Sequence, residues 1–459
     1  MTRNTLFSRN RIIAMVSFIA IIAISLMKSA MELEDAEQAY FSQWLRWGYD
    51  DQPPLYTWLQ YGVNAILGVQ ILSFSIVRAI IFAFILVCLF RFSLSYLKSE
   101  SKSNLVVFIL ALVPVFIDFT FRRLSHTSLL CLLILITYIL IQKLIQKKSL
   151  INYLLLGIVI GLGVLSKYNY IFVLGALGVT MLIDKEVRQV LLNPRILMVI
   201  FPALLIAAPH FNWLLGNQNY LQELQSSVDL KTSMEGENSI PILSPIIAMV
   251  KNIIIIIAPL FVLIFLLKWR KKIDLKFAQH DWLFKMLIAQ LIIIFLFFVM
   301  MGVNKTEERW FLPLLLPFLP LLMKVIDFKN VQKIERITFI LFLVVVGIQT
   351  IRTPVEKIFN IPSDVHFGFQ PISEILNSKY PKDIWVLPNV TYAGNIRLLN
   401  SSKEIYAKDD FSLPEFKLHG KTTVAVEIGK EQLKNQNPQD SILSFGRRKQ
   451  AIYFLKRSE

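Results

Sequence analysis

The residues of this chain best suited to chemistry follow its first apolar run. Glu32, Glu34, Asp35 and Glu37 crowd together there, and Asp50-Asp51-Gln52-Pro53-Pro54 comes soon after. A carboxylate at a membrane edge can take the proton of an incoming hydroxyl, provided it is ionised and within reach. An adjacent pair lets one acid act while its neighbour binds substrate or tunes it. Charged groups beside a bilayer are costly to place, which argues that they are used. The competing reading is a solvated acidic linker. Between the acids lie Tyr40, Phe41, Trp44, Trp47 and Tyr49, a series better suited to membrane anchoring than to a sugar platform. The Pro-Pro step makes a rigid turn that can present Asp51 and Gln52 back toward the acids.

The elements that must position these groups are membrane spans. The chain has 459 residues, 55% hydrophobic and 17% charged. Apolar runs of roughly 17 to 25 residues recur, each long enough to cross a bilayer. That excludes a soluble protein and predicts an α-helical polytopic membrane protein. The first run, Ile12 to Met27, has a basic flank (Arg3, Arg9, Arg11) but no small-residue cleavage site, so it reads as a retained signal anchor. Cys88 and Cys131 lie inside apolar runs and read as small buried hydrophobes. The net charge of +16 does not point to nucleic acid, because the excess sits in short loops between spans. Such loops face the cytoplasm. Placing the basic clusters there gives about eleven spans, with residues 53–72 as an interfacial helix. The acidic loop (29–75) and the C-terminal segment then lie outside.

A few basic residues break this pattern by falling on the outer side: Arg122, Arg123, Lys167, Lys305 and Arg309. They suit an anionic partner at the outer leaflet, such as a lipid phosphate. Ordinary headgroup contact, or an ion pair with Glu307 or Glu308, is the alternative. His126 and His210 lie at outer span ends, where they bind donor or acceptor or simply pack. No His/Cys/Asp cluster has zinc spacing. From about Thr353 the pattern changes. The stretches Ile384–Pro388, Thr422–Ile428 and Ala451–Leu455 are strand-like, and helices are expected near Ile372–Ser378 and Ala393–Leu399. The predicted organisation is a transmembrane domain over 1–352 and a small α/β domain over 353–459.

Glu34-Asp35-Ala36, followed by Gly48-Tyr49-Asp50-Asp51-Gln52-Pro53-Pro54-Leu55, resembles the first periplasmic loop of bacterial glycosyltransferase family 39 membrane proteins. These are relatives of dolichyl-phosphate-mannose protein mannosyltransferases and lipid A aminoarabinose transferases. That family shows Asp-Glu-Ala and then Gly-Tyr-x-x-x-Pro-Pro-Leu. The order of the two acids is exchanged here, so alignment selects Glu34 as the base and residue type selects Asp35. Gln52 stands where many relatives have His or Lys. The resemblance continues in Gly157 through Lys167-Tyr168-Asn169, in Pro209-His210-Phe211-Asn212-Trp213 and in Glu308-Arg309-Trp310-Phe311-Leu312-Pro313. Arg122-Arg123-Leu124-Ser125-His126 is similar to a segment in a subset of relatives.

The resemblance implies a GT-C fold in the bacterial inner membrane. It implies transfer of a sugar, with inversion, from a polyprenyl-phosphate carrier to lipid A, a cell-surface glycan or a protein on the periplasmic side. No nucleotide-sugar donor is involved; no cofactor is assigned, and a divalent metal stays open. Glu34 or Asp35 is the expected base. Lys167, Arg309, Arg123 and Arg122 are expected on the donor phosphate, and Asp51, Gln52, Tyr49, Tyr168, His126 and His210 on substrate. Two other classes compete. A flippase for lipid-linked sugars would place its ionisable groups near the midplane, in repeat-related halves. Here such groups gather at outer ends, and no internal repeat is visible. An oligosaccharide ligase of the same superfamily would carry similar residues.

Overall fold

The structure is a computed structural model that describes residues 9–123, 125–217, 220–226, 243–276, 281–303, 305–361, 363–412, 422–429, 440–443 and 451–458. Helix α1 (Arg9–Met27) is followed by the short helices α2 (Leu33–Phe41) and α3 (Leu55–Leu67), then by α4 (Ile71–Leu97). The next apolar segment is broken. Helix α5 (Glu100–Phe108) passes through a 3-10 turn (Ile109–Leu112) into α6 (Pro114–Arg122), with a bend of 76°. Pro114 accounts for the break. A residue before proline is pushed out of the helical region, and Val113 has φ −113° and ψ 76°. There follow α7 (His126–Gln146), α8 (Leu150–Ser166), α9 (Tyr170–Ile183), α10 (Lys185–Leu191), α11 (Leu197–Gly216) and α12 (residues 220–226). Next come α13 (Leu243–Trp269), α14 (Trp282–Met300), α15 (Glu308–Leu315), α16 (Leu319–Val325) and α17 (Val331–Ile358).

Among the described residues, seven helices are long and apolar enough to cross a membrane: α1, α4, α7, α11, α13, α14 and α17. The bent α5–α6 pair makes an eighth if it is one span, and α8 and α9 are shorter apolar helices. The remaining expected span falls on α15 and α16, which prolines at 313, 317 and 320 break into short pieces.

The chain divides into two compact units. The first comprises Met1–Phe18, Ile80–Thr120 and His126–Val346. Its helices pack in pairs: α8 on α11 and on α7, α9 on α14, and α7 on α15. Gly157 and Gly161 set the first pair. A Cβ on Gly157 would lie 2.5 Å from the Val199 carbonyl oxygen, and one on Gly161 would lie 2.8 Å from Ile206 Cβ. Small residues four apart let two apolar helices approach closely. Strands β1 (Ile273–Leu275) and β2 (Ile326–Phe328) form a small antiparallel pair in the same unit.

The second unit comprises Ile19–Ala79, Phe121–Ser125 and Gly347–Glu459. Its tail adds α18 (Gln370–Lys379), β3 (Ile384–Leu387), α19 (Val390–Leu399), β4 (Ile405–Ala407), β5 (Thr422–Gly429), β6 (Asp440–Leu443) and β7 (Ala451–Ser458). The sheet order is β4-β3-β5-β7-β6, with β3 parallel to both β4 and β5, and β7 antiparallel to its neighbours. Trp385, Leu387, Val424, Val426, Ile452 and Phe454 form the core under α18 and α19. Tyr40, Phe41 and Tyr49 belong to that same core. The membrane-anchor reading of these three aromatics is therefore corrected: they are buried in the core of the tail, with almost none of their surface left for lipid. In α3 the buried residues are Tyr56, Thr57, Gln60 and Asn64, while Leu59, Tyr61 and Ile66 are exposed.

Candidate active site

The acidic loop is not a solvated linker. Glu32, Glu34 and Asp35 are 8%, 6% and 1% exposed. Glu34 and Asp35 occupy the first turn of α2, where the positive end of the helix dipole favours carboxylates. Successive residues of a helix point about 100° apart, and the two acids accordingly meet different partners. Glu34 Oε2 accepts from the Ser125 backbone N–H (2.7 Å) and hydroxyl (3.0 Å). Asp35 Oδ1 accepts from Arg78 Nη1. Its other oxygen, Oδ2, is 3.8 Å from Lys28 Nζ and has no hydrogen-bond partner among the described residues.

A buried charge network surrounds these acids. Lys28 lies 3.8 Å from Glu32 and donates to the Arg122 carbonyl oxygen. Burial, only partly offset by Asp35, holds the Lys28 amine down at about 8. Arg122 reaches Glu32 (3.4 Å) and grips Glu356 with both terminal nitrogens (3.0 and 2.9 Å). Ser363 and Arg352 also bind Glu356, at 2.9 and 2.8 Å. Pairing each charge is what makes their burial tolerable. Arg122, expected on a phosphate, is thus placed between carboxylates. Arg123 is half-buried beside it.

Gly48 to Pro54 forms the expected turn. Tyr49 and Gln52 exchange backbone hydrogen bonds (3.2 and 2.7 Å), with Asp50 in the left-handed region at φ 41°. The Gln52 side chain donates to Asp51 Oδ1 (2.9 Å). Tyr49 is fully buried; its hydroxyl donates to Trp44 O (2.6 Å) and accepts from Arg46 N (2.7 Å). Burial pushes that phenol up to about 12. The structure gives Tyr49 a packing environment.

In the first unit, His126 and Lys167 come together. His126 Nδ1 lies 3.2 Å from Ser166 O, and Lys167 Nζ donates to Thr127 Oγ1 (2.9 Å). Tyr168 OH lies 3.3 Å from His210 Nε2, the two rings are stacked at 5.9 Å, and Trp213 stacks on His210 at 6.0 Å. Arg309 pairs with Glu307. Among the described residues, no group of three or more His, Cys, Asp or Glu side chains is arranged to hold a metal ion.

Sequence reasoning missed the roles of Arg78, Lys28 and Glu356, and the contact of helix α19, itself expected, with α2. Arg78 did carry a signal, since an arginine inside an apolar run marks a site by default. Glu356 carried none, being 234 positions from Arg122.

Residues 51–213 match the family model described as dolichyl-phosphate-mannose-protein mannosyltransferase. The ArnT crystal structure from Cupriavidus metallidurans bound to undecaprenyl phosphate superposes with a TM-score of 0.64 and 12% identity, covering 96% of this chain and 97% of that one. The chain has the GT-C fold of ArnT. The apo form of that protein gives a TM-score of 0.61. Two relatives from Rhizobium johnstonii are named lipopolysaccharide core galacturonosyltransferases. RgtA is 30% identical over 298 residues, covering 62% of this chain and 58% of its own, and RgtB is 30% identical over 297 residues with the same coverage. The chain spans less than two thirds of the length of these relatives. It resembles the membrane glycosyltransferases of family 39.

Proposed function

We propose that this protein is an inverting glycosyltransferase. It moves a sugar from a polyprenyl-phosphate carrier to lipid A, a cell-surface glycan or a protein on the outer side of the inner membrane. The observation that carries this reading is Asp35, a buried acid on a short helix with one oxygen fixed by Arg78 and the other without a hydrogen-bond partner among the described residues. Glu34, whose Oε2 already accepts two hydrogen bonds, suits a holding role. The acceptor hydroxyl oxygen bonds to the anomeric carbon as the bond from that carbon to the phosphate oxygen breaks. The hydroxyl proton passes to Asp35, and polyprenyl phosphate departs with the bonding pair. One base suffices for such a displacement; a glycosidase needs two carboxyl groups.

We assign the phosphate to Lys167, Arg309 and Arg123, whose charge opposes the one that develops on the leaving group. Arg122 belongs instead to the carboxylate network. Tyr168, His126, His210, Asp51 and Gln52 remain assigned to substrate. An apolar cavity of about 250 Å³ in the first unit, lined by Phe116, Ile256, Leu260, Leu291, Leu312 and Phe318, offers room for part of a prenyl chain. The names of the two relatives make galacturonic acid and a lipopolysaccharide core the first donor sugar and acceptor to try.

The test uses purified protein in detergent, undecaprenyl-phosphate-linked galacturonic acid and lipopolysaccharide core, with the product read by mass. An acceptor heavier by one sugar supports the reading. Addition of a preassembled glycan instead points to a ligase. Movement of the lipid-linked sugar across liposomes without product points to a flippase.

A further inference from the structure

The tail holds the acidic helix along its whole length. Ahead of α2, Asn395 Oδ1 accepts from Met31 N (2.8 Å) and Asn395 Nδ2 donates to Met31 O (3.0 Å). One amide side chain thus satisfies both backbone groups of the residue two positions before the helix. In mid-helix, Gly394 approaches Ala36 so closely that an added Cβ would overlap the Ala36 carbonyl oxygen. At the far end, Arg397 donates to Ala39 O and to Ser42 Oγ (3.2 Å) and Ser42 O (3.4 Å). A helix leaves its last carbonyls unpaired, and a cation there also meets the negative end of the dipole.

The grip is reciprocal. Gln43 donates to Ile405 O (3.0 Å) and accepts from Ile405 N (2.9 Å), which repeats in the opposite sense what Asn395 does to Met31. Tyr40 donates to Asp410 (3.0 Å) and accepts from Ala407 N (3.2 Å). Asn395 and Arg397 are 1% and 7% exposed. Burial draws the Arg397 guanidinium down to about 10. A glycine inside a helix costs about 0.5–1 kcal/mol relative to alanine, so Gly394 does not serve the helicity of α19. It serves the approach of α19 to α2.

Asp35 is the residue next to Ala36. Any shift of the backbone there moves Asp35 relative to Arg78, and a misplacement of about 1 Å at a reacting group can cost on the order of 100-fold in rate. We propose that α19 is a positioning clamp for the catalytic helix, with Asn395, Gly394 and Arg397 setting where Asp35 sits. The tail is then part of the reaction's machinery. The inference rests on the reading of Asp35 as the base.

The test uses the full-length protein in detergent. Hydrogen exchange of residues 33–41 is compared between wild type, Gly394→Ala and Arg397→Met. Faster exchange in α2, with β3 and β5 unchanged, is expected; unchanged exchange in α2 overturns the clamp. Turnover is then measured with undecaprenyl-phosphate-linked galacturonic acid. Gly394→Ala is expected to lower kcat on the order of 100-fold, leaving the donor KM within about twofold. It is expected to cost nothing further in an Asp35→Asn background, and Arg397→Lys is expected to recover most of what Arg397→Met loses. An equal loss in both backgrounds assigns Gly394 to folding alone and sinks the proposal. Should Gly394→Ala fail to accumulate, the two Arg397 variants decide by the same criteria. A wild-type kcat in Gly394→Ala, with Asp35→Asn inactive, removes the clamp but keeps the base. Full activity in Asp35→Asn removes the reading beneath it.

Discussion

Glu34 and Asp35 are adjacent in sequence and equivalent in composition; only the turn of α2 separates them. Alignment and residue type point to different acids, and neither reveals that one oxygen of Asp35 has no hydrogen-bond partner among the described residues. A general base contributes about 10²- to 10⁴-fold, so Asp35→Asn is expected to lower kcat by that much. Glu34→Gln keeps an oxygen for Ser125 and is expected to lose far less. Arg78→Met leaves the Asp35 carboxylate buried without its guanidinium, a change that costs about 3–5 kcal/mol in comparable buried pairs. A lower unfolding temperature in detergent than for an exposed control such as Lys272→Met checks it. Lys28 gives a pH test whose sign follows from burial. Its amine titrates near 8 in the fold and near 10.5 when freed, so the unfolded chain binds more protons between those values. Stability is therefore penalised below about pH 8 and recovers as pH rises toward 10. The unfolding temperature of wild type should climb relative to that of Lys28→Met across this window; parallel curves would contradict it. The acids themselves were legible, being charges beside a membrane. Their partners were not, because Ser125 and Arg78 reach them only through tertiary structure.

At the scale of elements, periodicity and length carried most of the reading. The strand-like stretches at 384, 422 and 451 are β3, β5 and β7, and the tail helices are where turn residues bound them. Strands β4 and β6, of three and four residues, were not expected. Tyr40, Phe41 and Tyr49 were misread because an aromatic face has the same pattern whether it meets lipid or a sheet. The stretch from Gly157 was read only as part of a family resemblance, and its packing on α11 was not legible. That packing yields a contrast between two glycines. Gly157→Ala sets a Cβ 2.5 Å from the Val199 carbonyl, whereas a Cβ on Gly178 meets nothing within 4 Å. Overpacking of this kind costs about 1–3 kcal/mol, so Gly157→Ala should lower the unfolding temperature and Gly178→Ala should not. Equal behaviour of the two would mean that α8 and α11 do not pack this closely.

For the whole molecule, the apolar runs identified a polytopic membrane protein, and the ArnT fold bears out the GT-C expectation. A broken segment such as α5–α6 reads in sequence as one span, because hydropathy does not register a 76° bend. The orientation rests on the placement of basic loops and has its own test. In a background lacking Cys88 and Cys131, Trp47→Cys should react with a membrane-impermeant maleimide added from the periplasmic side. Lys272→Cys should react only after the membrane is opened, and the reverse pattern would invert the topology. The central claim is that Asp35 takes a proton during transfer from a polyprenyl-phosphate sugar. Single-turnover transfer from undecaprenyl-phosphate-linked galacturonic acid to lipopolysaccharide core, compared among wild type, Glu34→Gln and Asp35→Asn, tests it most directly. The account predicts one added sugar from wild type, a similar product more slowly from Glu34→Gln, and a rate at least about 100-fold lower from Asp35→Asn. Transfer by Asp35→Asn at the wild-type rate would contradict it.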